Sequence, residues 1–204
     1  MVREHLGALI NRQKDMRVCG EAEDRSDGLE LISQKRPLLA LVDLSLKSSS
    51  GLDLIKDLRA ILPDLKILVI SMHDENLYAE RSIRSGAHGY VSKQEKSEEI
   101  LEAIRRVLSG KIYMSPALSE KTVSRMLGKL QGSDGAVDEL TDREFQIFDL
   151  IGQGYRTVEI ARHLRLEVKT IDSYRTRIKA KLKLSSTSEL LRKAITWRQD
   201  AGAR

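Results

Sequence analysis

The chain is poor in residues that staple a fold covalently or carry it through a bilayer. It has one cysteine, Cys19, so no disulfide within the chain and no cysteine-built zinc cluster can form, which suits a reducing compartment. Cys19 itself reads as a small buried apolar residue. The apolar runs are a few residues long, against the roughly 18 to 20 that a membrane helix needs. No charged-then-apolar leader opens the sequence, so a soluble, cytoplasmic protein is expected.

Charge of one sign is missing from most of the chain. Residues 1–138 hold 21 Lys/Arg and 21 Asp/Glu, whereas residues 139–204 hold 14 Lys/Arg against 9 Asp/Glu, so the whole net charge of +5 lies at the C-terminal end. A basic module beside a neutral body points to a polyanion partner. The length of 204 residues accommodates one ordinary domain and a smaller second one.

Through residue 109, short β-rich runs alternate with helical patterns. The strand candidates are "MRVCGEA" (16–22), "LLALVD" (38–43), "KILVIS" (66–71) and "GYVSK" (89–93). Between them apolar residues recur at helical spacing, as in Leu52, Ile55, Leu58 and Ile61, or Ile100, Leu101, Ile104, Val107 and Leu108. Near-continuous apolar strands separated by helices predict an open, doubly wound parallel sheet over residues 1–110. Residues 111–138 shift toward Ser, Gly and Lys and end in "QGSDGA", which reads as a linker, helical in part over "LSEKTVSRMLGKL".

From residue 139 the pattern is wholly helical. "LTDRE" is a capping box, with Thr141 accepting from a backbone N–H three residues on and Glu144 reaching back. Helices are expected at about 157–164, 168–183 and 187–197, the first two joined by a tight turn as in a helix-turn-helix. At 100° per residue, Ile171, Tyr174, Ile178 and Leu182 fall on one side of the long helix. Lys169, Ser173, Thr176 and Ala180 fall opposite, with Asp172 and Arg177 on the flanks.

Residues 140–186 resemble the LuxR/NarL-type helix-turn-helix: the Leu-Thr-x-Arg-Glu start, Gly154, "EIA" (159–161), "KTI" (169–171) and "KL" (181–182) carry the likeness. The resemblance implies that the 168–183 helix enters the major groove and that the last helix supplies a dimer contact or simply closes the bundle. The DNA-binding residues it implies are Lys169, Thr170, Asp172, Ser173, Arg175, Thr176, Arg177 and Lys179. Asp172 and Ser173 are expected to tune sequence preference, and Lys169, Arg175, Arg177 and Lys179 to supply affinity. The chain departs from the family where a Ser cap is usual: Arg156 and Glu167 stand there, so Thr157 is expected to cap one residue late.

In the N-terminal part, Asp43, Ser71 and Lys93 each end a strand candidate, at the edge where open α/β sheets place their ligands. A carboxylate there can accept a phosphoryl group, a hydroxyl can hydrogen-bond its oxygens and an ammonium can neutralise its charge. Tyr90 is expected to move inward as the hydroxyl is drawn toward that group. This spacing, with Gly51 closing the loop and the run "ISMHDENLYAERSIRSGAHGYVSK", resembles the receiver domain of NarL/FixJ-class two-component response regulators. The resemblance implies an α/β flavodoxin-like receiver, phosphorylation at Asp43 by a sensor histidine kinase, Mg²⁺ as cofactor, DNA as partner and a homodimer when active.

Family receivers open with a strand ending in an acidic pair that helps to hold Mg²⁺. Here "MVREHLGALINRQ" matches the helix that follows it, so a receiver truncated before that helix and a weak metal site at Asp43 are expected. A start placed too late, a fragment and a true pseudo-receiver acting without phosphorylation stand as the three explanations. Lys47 and the "KSSS" run also depart from the usual phosphorylation loop. An enzyme is not expected. A dehalogenase-type phosphatase needs a second Asp two residues after the first, where Ser45 stands, and no Gly-rich phosphate loop, HExxH or GxSxG appears. His5, His73, His88 and His163 lack ligand spacing and read as surface or packing residues.

Overall fold

The computed structural model describes residues 2–46, 50–116, 118–120 and 135–202. The chain divides into two compact units, Met1–Leu118 and Ser119–Arg204.

The first unit is built on three parallel strands in the order β1 (Leu39–Val42), β2 (Lys66–Ser71) and β3 (Gly89–Ser92). Leu39 pairs with Lys66 and Leu68 with Gly89, so the carboxyl ends of the strands lie at one edge of the sheet. Helices α1 (Val2–Asn11), α2 (Arg25–Lys35), α3 (Gly51–Ile61), α4 (Glu75–Arg84) and α5 (Ser97–Leu108) surround it. Their starts are written locally. Asp24, Ser50 and Asp74 each accept a hydrogen bond from a backbone N–H of the first turn, satisfying a donor the helix cannot.

Side chains alternate across a strand, and the sheet is apolar on both faces. Leu68, Ile70 and Val91 pack with Ile10 of α1 and with Ile100, Leu101, Ile104 and Val107 of α5. The buried Leu52, Ile55 and Leu58 of α3 belong to the same unit's core. The last backbone pairing runs past residue 110: Tyr90 donates its N–H to the Tyr113 carbonyl at 2.9 Å.

Three of the four strand candidates form. The segment 16–22 does not, and among the described residues its backbone joins no ladder. A strand exists only through its neighbour, and among the described residues the one strand bonded to β1 is β2. Met16 and Val18 instead rest half-buried against the α1 and α5 cluster, while the Val18 N–H is taken by the Asn11 side chain at 2.8 Å. Cys19 lies in this segment and is therefore exposed rather than buried.

The second unit contains α6 (Gly135–Asp138), α7 (Asp142–Gly152), α8 (Thr157–Leu164), α9 (Val168–Lys181) and α10 (Thr187–Gly202). Both halves of the capping box form at α7, with Thr141 N–H donating to Glu144 at 2.8 Å and Glu144 N–H to the Thr141 hydroxyl at 3.4 Å. Phe145, Ile147, Phe148, Ile160, Ile171, Ile178 and Leu190 make the core. The turn between α8 and α9 passes through Arg165 in the left-handed region, φ 52°, which closes α8. Most of "LSEKTVSRMLGKL" lies outside the described residues.

Candidate functional site

Two sites can be built from these elements, one in each unit. In the first, Asp43 follows β1 directly, Ser71 is the last residue of β2 and Lys93 follows β3. Lys93 Nζ donates to Asp43 Oδ2 at 2.5 Å, with the Asp43 side chain 29% and the Lys93 side chain 16% exposed. The other carboxylate oxygen, Oδ1, accepts the Ser45 N–H at 3.0 Å. An accessible carboxylate held beside an ammonium is the arrangement that can take up and then neutralise an anionic group.

Gly51 explains how the loop comes so close. A Cβ on it would sit 2.3 Å from the Asp43 carbonyl oxygen and 2.6 Å from the Leu44 Cα, so only glycine fits where α3 begins against the loop. Its N–H donates to the Leu44 carbonyl at 3.1 Å. Lys47 and the residues up to 49 lie outside the described residues.

Ser71 is fully buried, and its hydroxyl accepts the His73 N–H at 3.2 Å. Tyr90 is already inside: it has no exposed surface and donates its hydroxyl to the His73 carbonyl at 2.8 Å. Burial pushes the Tyr90 phenol well up, the Ser71 hydroxyl pulls it partly back, and the carboxylates of Glu75, Asp74 and Asp43 add to the rise. The phenol is therefore a fixed donor at neutral pH.

Two residues of this site escape a reading by motif. His73 Nε2 meets the Ser45 hydroxyl at 3.1 Å, linking the loops that leave β1 and β2, and the His73 ring stacks on Tyr78 at 4.4 Å. The signal was an offset: Ser45 stands two residues after Asp43 and His73 two after Ser71. The ladder pairs Val42 with Val69, so Asp43 and Ser71 lie within one residue of the same level on adjacent parallel strands, and the loops that follow bring Ser45 and His73 together.

The second site is the outer face of α9. Ile171 and Ile178 are fully buried, Leu182 is buried, and Tyr174 is half-buried, whereas Lys169, Asp172, Ser173, Thr176, Arg177 and Ala180 are exposed. The Ser173 and Thr176 hydroxyls donate back to the Lys169 and Asp172 carbonyls, each at 3.0 Å, and so face outward as acceptors. Arg177 lies over the Tyr174 ring at 5.7 Å. Glu167, Lys169, Thr170, Ser173, Tyr174 and Arg177 line an open cleft of 380 Å³.

Thr170, Arg175 and Lys179 are half-buried, off the outermost face. Arg175 donates to the Thr157 hydroxyl on α8. Thr157 accordingly does not cap α8 as expected. The cap position is Arg156, whose N–H and guanidinium are both taken by Glu159, at 2.7 and 2.9 Å, and Thr157 is the first helical residue. Glu167 has cap geometry before α9 but makes no side-chain cap bond. Helix α10 buries Leu190 and Ala194 in the bundle and leaves Leu191 and Ile195, one turn apart, exposed.

Comparison with known proteins finds a family match in each unit. The response regulator receiver domain profile matches residues 1–105, and that of the luxR family of bacterial regulatory proteins matches residues 138–194. The oxygen regulatory protein NreC of Staphylococcus carnosus is 32% identical over 200 residues, covering 96% of this chain and 92% of that protein. NreC of Staphylococcus aureus strain JH1 is 33% identical over the same shares. Among solved structures, a LuxR-family two-component response regulator from Aurantimonas sp. SI85-9A1 is 28% identical with a TM-score of 0.57, covering 62% of this chain and 90% of that one. The RcsB response regulator of Salmonella typhimurium, 23% identical, shares the fold with a TM-score of 0.62 over 96% of this chain and 92% of that one.

Proposed function

The chain belongs to the response regulators that join a receiver domain to a LuxR-type DNA-binding domain, and on that premise we propose that phosphoryl transfer to Asp43 controls DNA reading by α9. The observation that carries this reading is the contact of Lys93 Nζ with the Asp43 carboxylate at the strand ends. The donor is a phosphohistidine on a sensor histidine kinase. Asp43 attacks its phosphorus, the N–P bond breaks, and the histidine nitrogen leaves with the electron pair.

Lys93 then balances the charge on the new acyl phosphate, and the Ser45 N–H, which holds Asp43 Oδ1 beforehand, steadies the acyl carbonyl oxygen. Ser71 gives up its bond from His73 N–H to meet a phosphoryl oxygen. His73 is released by that exchange and carries the change to Tyr90, which holds its carbonyl. A receiver of this kind biases a population of molecules toward a DNA-binding homodimer. The exposed Leu191 and Ile195 of α10 suit a contact with a second copy. At the DNA, Lys169 and Arg177 serve phosphates, while Asp172, Ser173 and Thr176 present acceptors suited to the exocyclic amino groups of cytosine or adenine. The work is regulatory and belongs to the cytoplasm, where the DNA is; no described helix is long and apolar enough to cross a membrane.

The Mg²⁺ that the family implies has poor support from the described residues. No group of three or more His, Cys, Asp or Glu gathers among them, and both Asp43 oxygens already accept hydrogen bonds. One carboxylate with water would hold Mg²⁺ weakly, and no step above runs through it.

Intact-protein mass spectrometry after incubation with Mg²⁺ and a small acyl-phosphate donor tests the reading. One added phosphoryl group, absent in Asp43→Asn, is expected. No addition in either protein would instead support a receiver that acts through protein contacts alone.

A further inference from the structure

We infer that Arg175 is a positioning residue that sets the angle of the DNA-reading helix through Thr157, and is not itself a phosphate ligand. The inference rests on the DNA-binding reading of α9. Arg175 lies one turn after Ile171 and one before Ile178, about 40° round the helix from Ile171, and so within the arc that faces the bundle. It is half-buried, and it is absent from the cleft lined by Lys169, Ser173 and Arg177 on the outer side. One nitrogen of its guanidinium donates to the Thr157 hydroxyl at the start of α8.

A second polar contact holds the far end of the helix. Lys181 Nζ donates to Glu144 Oε2 of α7 at 2.7 Å and to the Glu139 carbonyl at 3.2 Å. Between the two lie Ile171 and Ile178, whose apolar contacts are non-directional and permit the helix to roll or slide. Hydrogen bonds are directional, and two of them at separate points along one helix fix both its rotation and its advance. Arg175 and Thr157 thus set where Lys169, Ser173 and Thr176 arrive on the base edges, although neither belongs to the outermost face.

The test is DNA binding by the full chain on a duplex that the wild-type protein selects from a random library, measured across a salt series. Arg175→Gln and Thr157→Val are each expected to weaken binding about tenfold, the loss of one charge-assisted hydrogen bond. The double variant should be no weaker than either single one. Thr157→Ser, which keeps the hydroxyl, should bind as wild type. The slope of log affinity against log salt should stay at the wild-type value in all of them, whereas Lys169→Ala should lose about one from that slope.

The ranking of related sites should flatten in Arg175→Gln and Thr157→Val; a merely less stable domain would scale every site alike. A slope reduced by about one in Arg175→Gln, or effects that multiply in the double variant, overturns the inference. If Arg175→Gln fails to fold, Thr157→Val decides, since wild-type binding by that variant also overturns it. If the wild-type protein selects no duplex at all, the DNA-binding reading falls, and this inference with it.

Discussion

Replacing Lys181 by methionine tests how the second unit is held together. Glu144 is 3% exposed, and its Oε2 receives both Lys181 Nζ at 2.7 Å and the Thr141 N–H at 2.8 Å. Removing one partner of a fully buried ion pair costs about 3 to 5 kcal/mol, because the other charge is left behind. Here the Lys181 side chain is 35% exposed, so water already screens part of the attraction, and Glu144 keeps its bond from Thr141. About 2 kcal/mol is expected. For a unit this small that lowers the melting temperature by about 8 to 16 °C.

The assay needs no dissection of the chain. Its one tryptophan, Trp197, packs edge-on against Phe145 at 5.4 Å and Phe148 at 5.6 Å, so tryptophan fluorescence of the whole protein reports melting of this unit alone. Acid gives an internal check. Burial pushes the Glu144 carboxyl up, but the Lys181 ammonium and the Thr141 bonds outweigh it and leave the group below its ordinary value of 4.5. A carboxyl lowered by folding stabilises fully above the unfolded value and loses that contribution as pH falls through the folded one. The gap between wild type and Lys181→Met should therefore be full at pH 7 and close as pH falls below the ordinary carboxyl value. Adding Glu144→Gln to the variant should recover at least half of the loss, since no charge is then stranded. A melting shift under about 3 °C, or a gap that persists in acid, would refute the argument.

Glu167→Ser should stabilise the same unit by about 0.5 to 1 kcal/mol, because Glu167 has cap geometry without a cap bond, and serine supplies one; the Trp197 melt reads it, and no rise would mean that the first turn of α9 is satisfied by water. Gly51→Ala should destabilise the first unit by about 2 to 4 kcal/mol, because the new Cβ meets the Asp43 backbone at 2.3 Å. Urea unfolding followed by circular dichroism, with phosphorylation measured alongside, checks that prediction. A variant with unchanged stability and unchanged phosphorylation would show that the loop yields without cost.

Much of this protein was legible in the chain itself. The three strands are short apolar runs ended by polar residues, and the capping box at Thr141 and Glu144 operates within four positions, so local spacing suffices to find both. The two faces of α9 follow from 3.6 residues per turn, and the same wheel already carried Arg175 toward the bundle, a position that its charge disguised. Asp43, Ser71 and Lys93 each sit at a strand end, which places them at one edge of any parallel sheet in this register.

What local spacing could not decide was who meets whom across the chain. "MRVCGEA" has the composition of a strand, yet a strand needs a ladder partner, and among the described residues this one finds none, which leaves Cys19 exposed. Ser45 and His73 are 28 residues apart, Thr157 and Arg175 18, Glu144 and Lys181 37. Each of these pairs is set by how whole elements pack. Periodicity and capping are written within one or two turns of chain, whereas a hydrogen bond between elements depends on distances and angles that exist only once the sheet and the bundle have closed.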